Sequence, residues 1–588
     1  MITKNEFDIL KLFHLNQFTT QRDASALNQL SLGSVNSVLN TLVENEYIKD
    51  NQITEKGIAI MQQYKVDNAI IMAAGMGSRI APLGYENPKG LLKVRGEILI
   101  ERQIKQLQAS GIKDITLVLG YMKEKFFYLE DKFNVKIAIN EDYYRYNNIS
   151  TILKVASQFK NTYLCVSDIY YDENPFDPYM YGPSYAVVHE HANVSGEFYA
   201  LMNSRKLIKD IEIGVGEPLM TGHAYFDKEF SDTFINILKE EFKDETTRYR
   251  LWEYVLMKHI GTLKMYGKEY PANSIHEFDS FEDLQNFDTL YITNTDSQIL
   301  ENITTSLNCE LKDIKNIEAV KKGLTNLSFK FEVFDKVYMY RHPGVGTDSY
   351  INRRAEAYAQ EVAKEYGLDD SFICMNPDKG WKIANYITDT HTMDYHNDYE
   401  VNASLEMIRK LHDLQLEGKY EFNVWKKTND FIAMIAEKGR HDFDDFDELY
   451  NKLERVFQFT ESDNYPKILC HCDFYDPNIL FQGTRPYLID WEYAGVDDPG
   501  VDLGTFIACS DYTFEEAMDI LDRYEGKPMS FERRRHFIGY VALASYYWFI
   551  WAILQESNGA TVGEYLYIWY RSSIKYANEA LAQYGETL

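Results

Sequence analysis

Residues 69–100 read AIIMAAGMGSRIAPLGYENPKGLLKVRGEILI. The run opens as an apolar strand and passes directly into Gly75, Gly77, Ser78 and Arg79. A short apolar run bounded by glycines reads as a buried strand entering a tight loop. Glycines there let backbone N–H groups approach phosphate oxygens closely. Arg79 adds a planar cationic fork suited to phosphate, and Pro88-Lys89 brings a second cation ten residues on. The third glycine of a dinucleotide fingerprint is missing, and no G-K-S/T follows, so a Walker loop does not fit either.

Outward from this stretch, short β-rich runs alternate with helical patterns to about residue 295. ITLVLGY (Ile115–Tyr121), VKIAIN (Val135–Asn140) and TYLCVSD (Thr162–Asp168) are the strands, and LIERQIKQLQASG is a typical spacer. Such alternation predicts an α/β domain with a largely parallel sheet. Upstream, residues 1–65 read as three helices and a short polar wing, KDNQITEKG, the order of a winged helix-turn-helix. The helix that would enter a DNA groove, Ser34 to Asn45, has no Lys or Arg and carries Glu44. Phosphate contacts dominate DNA affinity, so docking or regulation suits this module better than DNA reading.

The polar stretch TNTDSQILENITTSLN (Thr293–Asn308) leads into a third unit, which begins with strands around a glycine turn and ends strongly helical. Within it, ILCHCDFYDPNILF (Ile468–Phe481) holds His471, Asp473 and Asn478 as H-x-D-x-x-x-x-N, and Asp490 follows in YLIDWEYAG twelve residues later. That spacing provides a carboxylate, Asp473, to take a proton from an attacking hydroxyl. Asn478 and Asp490 can hold Mg²⁺ on nucleotide phosphates. Near the end, ASYYWFIWAILQE puts Trp548 and Trp551 three apart, on one helix face.

The first pattern, A-A-G-x-G-x-R followed by P-K, resembles the sugar-nucleotide and phosphocholine nucleotidyltransferases. The resemblance implies that Ala74, Gly75, Gly77, Ser78 and Arg79 cradle the triphosphate and that Lys89 stabilises the reacting α-phosphate. It implies metal binding by Asp168 and Asp279, with Glu277 and Asp283 as competitors for the second place. GYMKEKFFYL and NEDYYRYNNIST look closest to the phosphocholine cytidylyltransferase branch, with Asn148 and Ser150 as contacts to the cytidine. Trp252, Glu253 and Tyr254 in TRYRLWEYV place aromatics beside an acid, which suits a quaternary ammonium; a core tryptophan is the competing reading.

The second pattern resembles the aminoglycoside phosphotransferase and choline kinase superfamily, with W-E-Y where protein kinases have F-G. By that resemblance Gly323, Thr325 and Asn326 form the nucleotide loop, Arg341 stands where protein kinases place a strand lysine, and Glu356 is its helix partner. WKIANYI, with Asn385 and Ile387, receives the adenine. Trp548 and Trp551 resemble the choline-kinase aromatic pair, with Glu492 and Asp473 as candidates for the nearby negative charge. The resemblances cover about residues 66–588. They imply ATP-dependent phosphorylation of choline, then transfer of CMP from CTP to phosphocholine, with Mg²⁺ at both sites. Ethanolamine, or a sugar kinase joined to a sugar-1-phosphate nucleotidyltransferase, are the alternatives, and a regulator built on degenerate enzyme domains is a third.

Composition bounds the rest. A chain of 588 residues exceeds what one core organises, and about 100–200 residues per domain suggests three or four. The expected fold is multidomain α/β and α+β. It comprises a winged-helix module (1–65), a Rossmann-like nucleotidyltransferase domain (66–295) and a bilobal protein-kinase-like domain (296–588). The net charge of −29 argues against nucleic acid and anionic membrane as partners and is compatible with a small cation. The six cysteines are scattered, and Cys470 and Cys472 read as buried strand thiols rather than zinc ligands. The N-terminus has no leader pattern, and the apolar run Val541–Leu554 is too short to span a bilayer, so the expectation is a soluble cytoplasmic protein. The oligomeric state is left open, with a homodimer among the options.

Overall fold

The computed structural model describes residues 2–189, 196–293, 295–320, 326–344, 347, 350–438, 443–558 and 562–586. The chain divides into two compact units, Met1–Asn302 and Ile303–Leu588.

The first unit begins with α1 (Lys4–His14), α2 (Gln21–Asn28) and α3 (Leu32–Glu44), a two-stranded hairpin of β1 (Ile48–Lys49) and β2 (Gln52–Ile53), and α4 (Glu55–Gln62). A capping box of Thr3 and Glu6 starts α1 by satisfying its first free N–H groups. Phe7, Leu10, Phe13, Val35, Leu42 and Met61 form a small core of their own. This core continues onto the following domain through Tyr179. There, Lys11 pairs with Asp177 at 2.9 Å and His14 Nε2 lies 2.7 Å from the Tyr179 hydroxyl.

The main sheet follows. Its strands are β3 (Asn68–Ala73), β4 (Ile115–Leu119), β5 (Lys136–Ile139), β6 (Thr162–Val166), β8 (Ser184–Val188), β9 (Glu197–Met202), β10 (Ile208–Gly214), β11 (Leu219–Phe226) and β12 (Tyr266–Tyr270). The order is β10-β9-β11-β6-β3-β4-β5, with β8 between β11 and β12. Strands β6, β3, β4 and β5 run parallel, as the alternating sequence predicts. Strand β3 is buried throughout, the mark of a central strand covered on both faces. A second, short pairing joins β7 (Ile169–Tyr171) to β13 (Ile275–Glu277), with Glu277 opposite Ile169. That register carries Asp279 back to Asp168, more than a hundred residues away in sequence.

The second unit has a five-stranded antiparallel sheet. Its strands are β14 (Lys315–Val320), β15 (Asn326–Val333), β16 (Lys336–Pro343), β17 (Phe372–Met375) and β18 (Lys382–Asn385), ordered β14-β15-β16-β18-β17. The helix α9 (Arg353–Glu365) belongs to the same lobe. The rest is mainly helical around one large apolar core, with α10 (Asp398–Asp413), α11 (Gly500–Ala508), α12 (Phe514–Glu525), α13 (Phe531–Ser557) and α14 (Tyr565–Gln583). It also holds a small antiparallel sheet of Thr390–Thr392, Ile479–Gln482 and Arg485–Leu488 and a pairing of Ile468–Cys470 with Gly495–Asp497. The apolar run read as too short for a bilayer belongs to a longer helix than its hydrophobic pattern indicates. Helix α13 has 27 residues and is apolar enough to cross by length and composition, yet its whole apolar window is buried in the unit's core.

Candidate active sites

In the first unit the carboxyl ends of the parallel neighbours β3 and β6 open onto a cavity of about 540 Å³, where open α/β sheets bind ligands. Ala74, Gly75, Gly77, Arg79, Lys89 and Asp168 all line it. Gly77 has φ +60°, and a Cβ there would stand 2.8 Å from the Lys89 side chain, so only glycine leaves the lysine its place. Gly75 faces open space instead.

Lys89 is the centre of the site. Its Nζ donates to Phe278 O at 3.0 Å and Asp279 Oδ1 at 3.3 Å, and lies 3.5 Å from Asp168 Oδ2. Burial works against its charge, but Asp168, Asp279 and Glu277 more than offset it and hold its pKa above the ordinary value. Arg79, on the exposed side, reaches Asp279 Oδ2 at 3.1 Å. Two carboxylates that flank one ammonium can share one divalent cation, so these residues fit a metal. Of the competitors for the Asp279 position, Asp283 caps its own helix with Ser280, which occupies its carboxylate.

The structure corrects several expected substrate contacts. Helices α5 (Leu99–Ala109), α6 (Asn148–Lys154), α7 (Lys228–Glu241) and the short α8 (Trp252–Lys258) belong to this unit, and Trp252, the first residue of α8, is 2% exposed. Tyr185 stacks on its ring, and Phe226 and Phe234 meet it edge-on, so it offers no face to a cation. Glu253 is buried beside it and accepts from the Tyr185 hydroxyl at 2.9 Å, while Arg250 lies over the Tyr254 ring. None of the three lines the cavity. Asn148 does, but its Oδ1 accepts from Trp252 N at 2.8 Å. Ser150 is buried in the first turn of α6 (Asn148–Lys154), where its hydroxyl donates to Asn147 O and accepts from Asn140 Nδ2. Those bonds use the hydroxyl within the fold, between the start of α6 and the residue that follows β5. The aromatics that do line the cavity are Phe126, Tyr143, Tyr144, Tyr146 and Tyr249. The run YYRY was visible in the sequence, but a tyrosine run alone does not say which rings reach a ligand.

Burial pushes the Glu253 carboxyl up to about 7 from an ordinary 4.5. Protonation therefore favours the fold, and this advantage is lost as pH rises from the unfolded value through the folded one. Glu253→Gln, which keeps an acceptor for Tyr185, is expected to leave stability unchanged near pH 4 and to raise it by up to about 3 kcal/mol at pH 8. Thermal unfolding of both proteins at the two pH values checks this; equal gains at both would disprove it.

In the second unit a cavity of about 630 Å³ is lined by Asp473, Asn478, Asp490, Trp548 and Trp551, and also by Trp569, which sequence reasoning missed. Asn385 and Ile387 line it as well. Gly323 and Thr325 lie outside the described residues. Asp473 is 6% exposed; burial, with Asp490 and Glu492 nearby, pushes its pKa well above the carboxylate range. Its Oδ2 accepts from Asn478 Nδ2 at 2.8 Å, and its buried Oδ1 has no hydrogen-bond partner among the described residues. Asn478 Nδ2 also donates to Asp473 O at 2.9 Å, so the amide oxygen is what Asn478 has left for a cation. With Asp490 in the same cavity, the donor set fits Mg²⁺.

The backbone around Asp473 is held from below by a residue the sequence did not announce. Asp502 Oδ2 accepts from His471 N at 3.0 Å and Oδ1 from Cys472 N at 2.6 Å. Cys472 has φ +62°, a conformation costly for a side chain larger than glycine, and these bonds hold it there. His412 Nε2 in turn lies 2.9 Å from Asp502 and its Nδ1 2.7 Å from the Tyr524 hydroxyl. His412, Cys470 and Asp502 bring three donor atoms within 4.8 Å of one another. Both Asp502 oxygens are already occupied by backbone, which favours a structural cluster.

Trp548, Trp551 and Trp569 form a cluster of rings in mutual contact, with centroids 5.6–6.3 Å apart, along the wall of this cavity. Tyr493 closes on Trp548 at 5.7 Å. Glu492, expected as the charge beside this cage, is engaged elsewhere: it accepts from Asn326 Nδ2 at 2.8 Å and lies 3.5 Å from Arg341 and 3.4 Å from Arg353. Arg341 and Glu356 form the expected pair, 2.6 Å apart and fully buried. Burial opposes the Glu356 charge, but Arg341, Lys382 and Arg353 overcome it and lower its pKa to about 2.

Residues 69–169 match the family model described as MobA-like NTP transferase domain, and residues 317–541 match Choline/ethanolamine kinase. The choline-phosphate cytidylyltransferase of Streptococcus pneumoniae is 28% identical over 223 residues, 38% of this chain and 97% of that protein. The 2-aminoethylphosphonate cytidylyltransferase of Lancefieldella rimae is 31% identical over 229 residues, 38% of this chain and 93% of that protein. Protein LicA of Haemophilus influenzae is 25% identical over 253 residues, 41% of this chain and 94% of that protein. The chain thus joins a nucleotidyltransferase domain of the cytidylyltransferase family to a choline/ethanolamine kinase domain.

Proposed function

We propose that this enzyme makes CDP-choline in two steps. In the second unit the choline hydroxyl attacks the γ-phosphorus of ATP while Asp473 takes its proton, and ADP leaves. In the first unit a phosphate oxygen of phosphocholine attacks the α-phosphorus of CTP, and pyrophosphate leaves. Lys89 stabilises the charge on the α-phosphate, and Arg79 with the Gly75–Gly77 loop holds the triphosphate. At Asp168 with Asp279, and at Asn478 with Asp490, Mg²⁺ when bound neutralises phosphate charge so that anions can approach.

One observation carries the substrate assignment: Asp473, Asn478 and Asp490 share a cavity with three tryptophans. A quaternary ammonium has no hydrogen to donate, so π-faces are its natural receptor. The coupled reaction tests the whole. Protein, ATP, CTP, Mg²⁺ and choline should yield CDP-choline and pyrophosphate, with mass spectrometry as the readout; no conversion of any amino alcohol would refute the assignment. A second reading, ethanolamine, is favoured by the family model's own description and by the relative named for a primary amine, and a parallel ethanolamine reaction decides it. Trp551→Leu is expected to raise the KM for choline about tenfold, from the loss of roughly 1–2 kcal/mol of cation–π attraction, and that for ethanolamine much less. Equal effects on both would remove the cage argument.

The N-terminal helices and β1–β2 hairpin we read as a winged-helix-like docking or regulatory module, because α3 carries no cation. A cytoplasmic location accords with the ATP and CTP requirement and with free cysteines throughout.

A further inference from the structure

A charge network reaches into the kinase cavity: Arg341, Lys382, Asp490 and Glu492 line it, and Arg353 and Glu356 pair with them from outside the lining. Arg353 has no place in the reaction as described and does not line the cavity. It is nevertheless 6% exposed and bonded to Glu356 in its own helix and to three segments outside that helix. Its Nη2 donates to Thr347 Oγ1 at 2.7 Å and Asn326 Oδ1 at 3.4 Å. Its Nη1 donates to Glu356 Oε2 at 3.3 Å and Glu492 Oε2 at 3.4 Å. Asn326 Nδ2 closes the ring on Glu492 at 2.8 Å. The fold leaves a slot for this side chain: Gly380 has φ +73°, and a Cβ there would stand 3.0 Å from Arg353 Nε.

Asn326 opens β15 and follows Gly323 and Thr325 in sequence, while Glu492 stands two residues after the metal-binding Asp490. We propose that Arg353 is a positioning residue for ATP. Its fork ties the start of β15 to the Asp490–Glu492 turn, so the two surfaces that face the triphosphate are held in one register. A planar fork can serve four acceptors at once, and a lysine ammonium cannot. The inference rests on reading the second unit as an ATP-dependent kinase.

The test uses the full chain with Arg353→Lys, which keeps the buried charge and removes the fork. ATP affinity is measured by calorimetry without acceptor, and KM for ATP and for choline are measured separately. Expected are an affinity for ATP about tenfold weaker, an ATP KM raised to match, and a choline KM and cytidylyl transfer within twofold of wild type. Combining Arg353→Lys with Asn326→Ala should cost no more than Asn326→Ala alone, because both remove the same tie. Unchanged ATP affinity, or losses that multiply in the double variant, would overturn the proposal. A general packing defect would lower thermal stability and raise both KM values together, and that outcome also counts against it. If wild type binds ATP but phosphorylates no amino alcohol, the acceptor assignment has failed, and the calorimetry still decides the role of Arg353.

Discussion

Asp473→Asn is expected to lower choline phosphorylation by about 10²- to 10⁴-fold, the range associated with a positioned general base. The substitution keeps the shape and the contact with Asn478 but removes the proton acceptor. Asp473 Oδ1 is buried and has no hydrogen-bond partner among the described residues, which leaves it available to take a hydroxyl proton. The tryptophans and Asp490 stay in place, so choline and ATP should still bind. Because the chain carries a second activity, the variant contains its own control. CDP-choline formation from choline should fall with the kinase, and added phosphocholine should restore it to the wild-type rate. Retention of more than about a tenth of kinase activity would mean that another group takes the proton, since a lost base costs at least about 10².

Lys89→Met gives the mirror-image result. Removing a preorganised charge that meets the developing negative charge of the transition state costs about 10²- to 10³-fold. Lys89 is well placed for that role: its side chain is 11% exposed, and Gly77 shapes the space beside it. The variant should accumulate phosphocholine from ATP and choline at the wild-type rate and make almost no CDP-choline, whether or not phosphocholine is supplied. Arg79 pairs with the same Asp279 but its side chain is 66% exposed, so water screens it and Arg79→Ala should cost less. Rescue of Lys89→Met by added phosphocholine would place the defect outside the transfer step and refute the role given to Lys89.

The sequence by itself determined the two chemistries. A strand running into Gly75, Gly77 and Arg79, and Asp473 with Asn478 five residues on, are local patterns. Their geometry follows from backbone conformation over a few residues, so spacing alone is enough to read them. Strand alternation likewise disclosed the parallel sheet, because burial on both faces leaves a continuous apolar run. Tertiary structure decided which side chains finish each site. Trp252 and Trp551 look alike in sequence, each an aromatic near an acid or another tryptophan. One lies between Tyr185, Phe226 and Phe234 as core, and the other faces a cavity with Trp569. Asp502 and Arg353 belong to no motif, because the partners their roles depend on, His471 and Cys472 for Asp502 and Asn326 and Glu492 for Arg353, lie 27 to 139 residues away. Glu492 reads as a cage anion until Arg341 and Arg353 are seen beside it. Hydrogen bonds and ring contacts act over a few ångströms, so residues this far apart along the chain become partners only once folding has brought their strands and helices together.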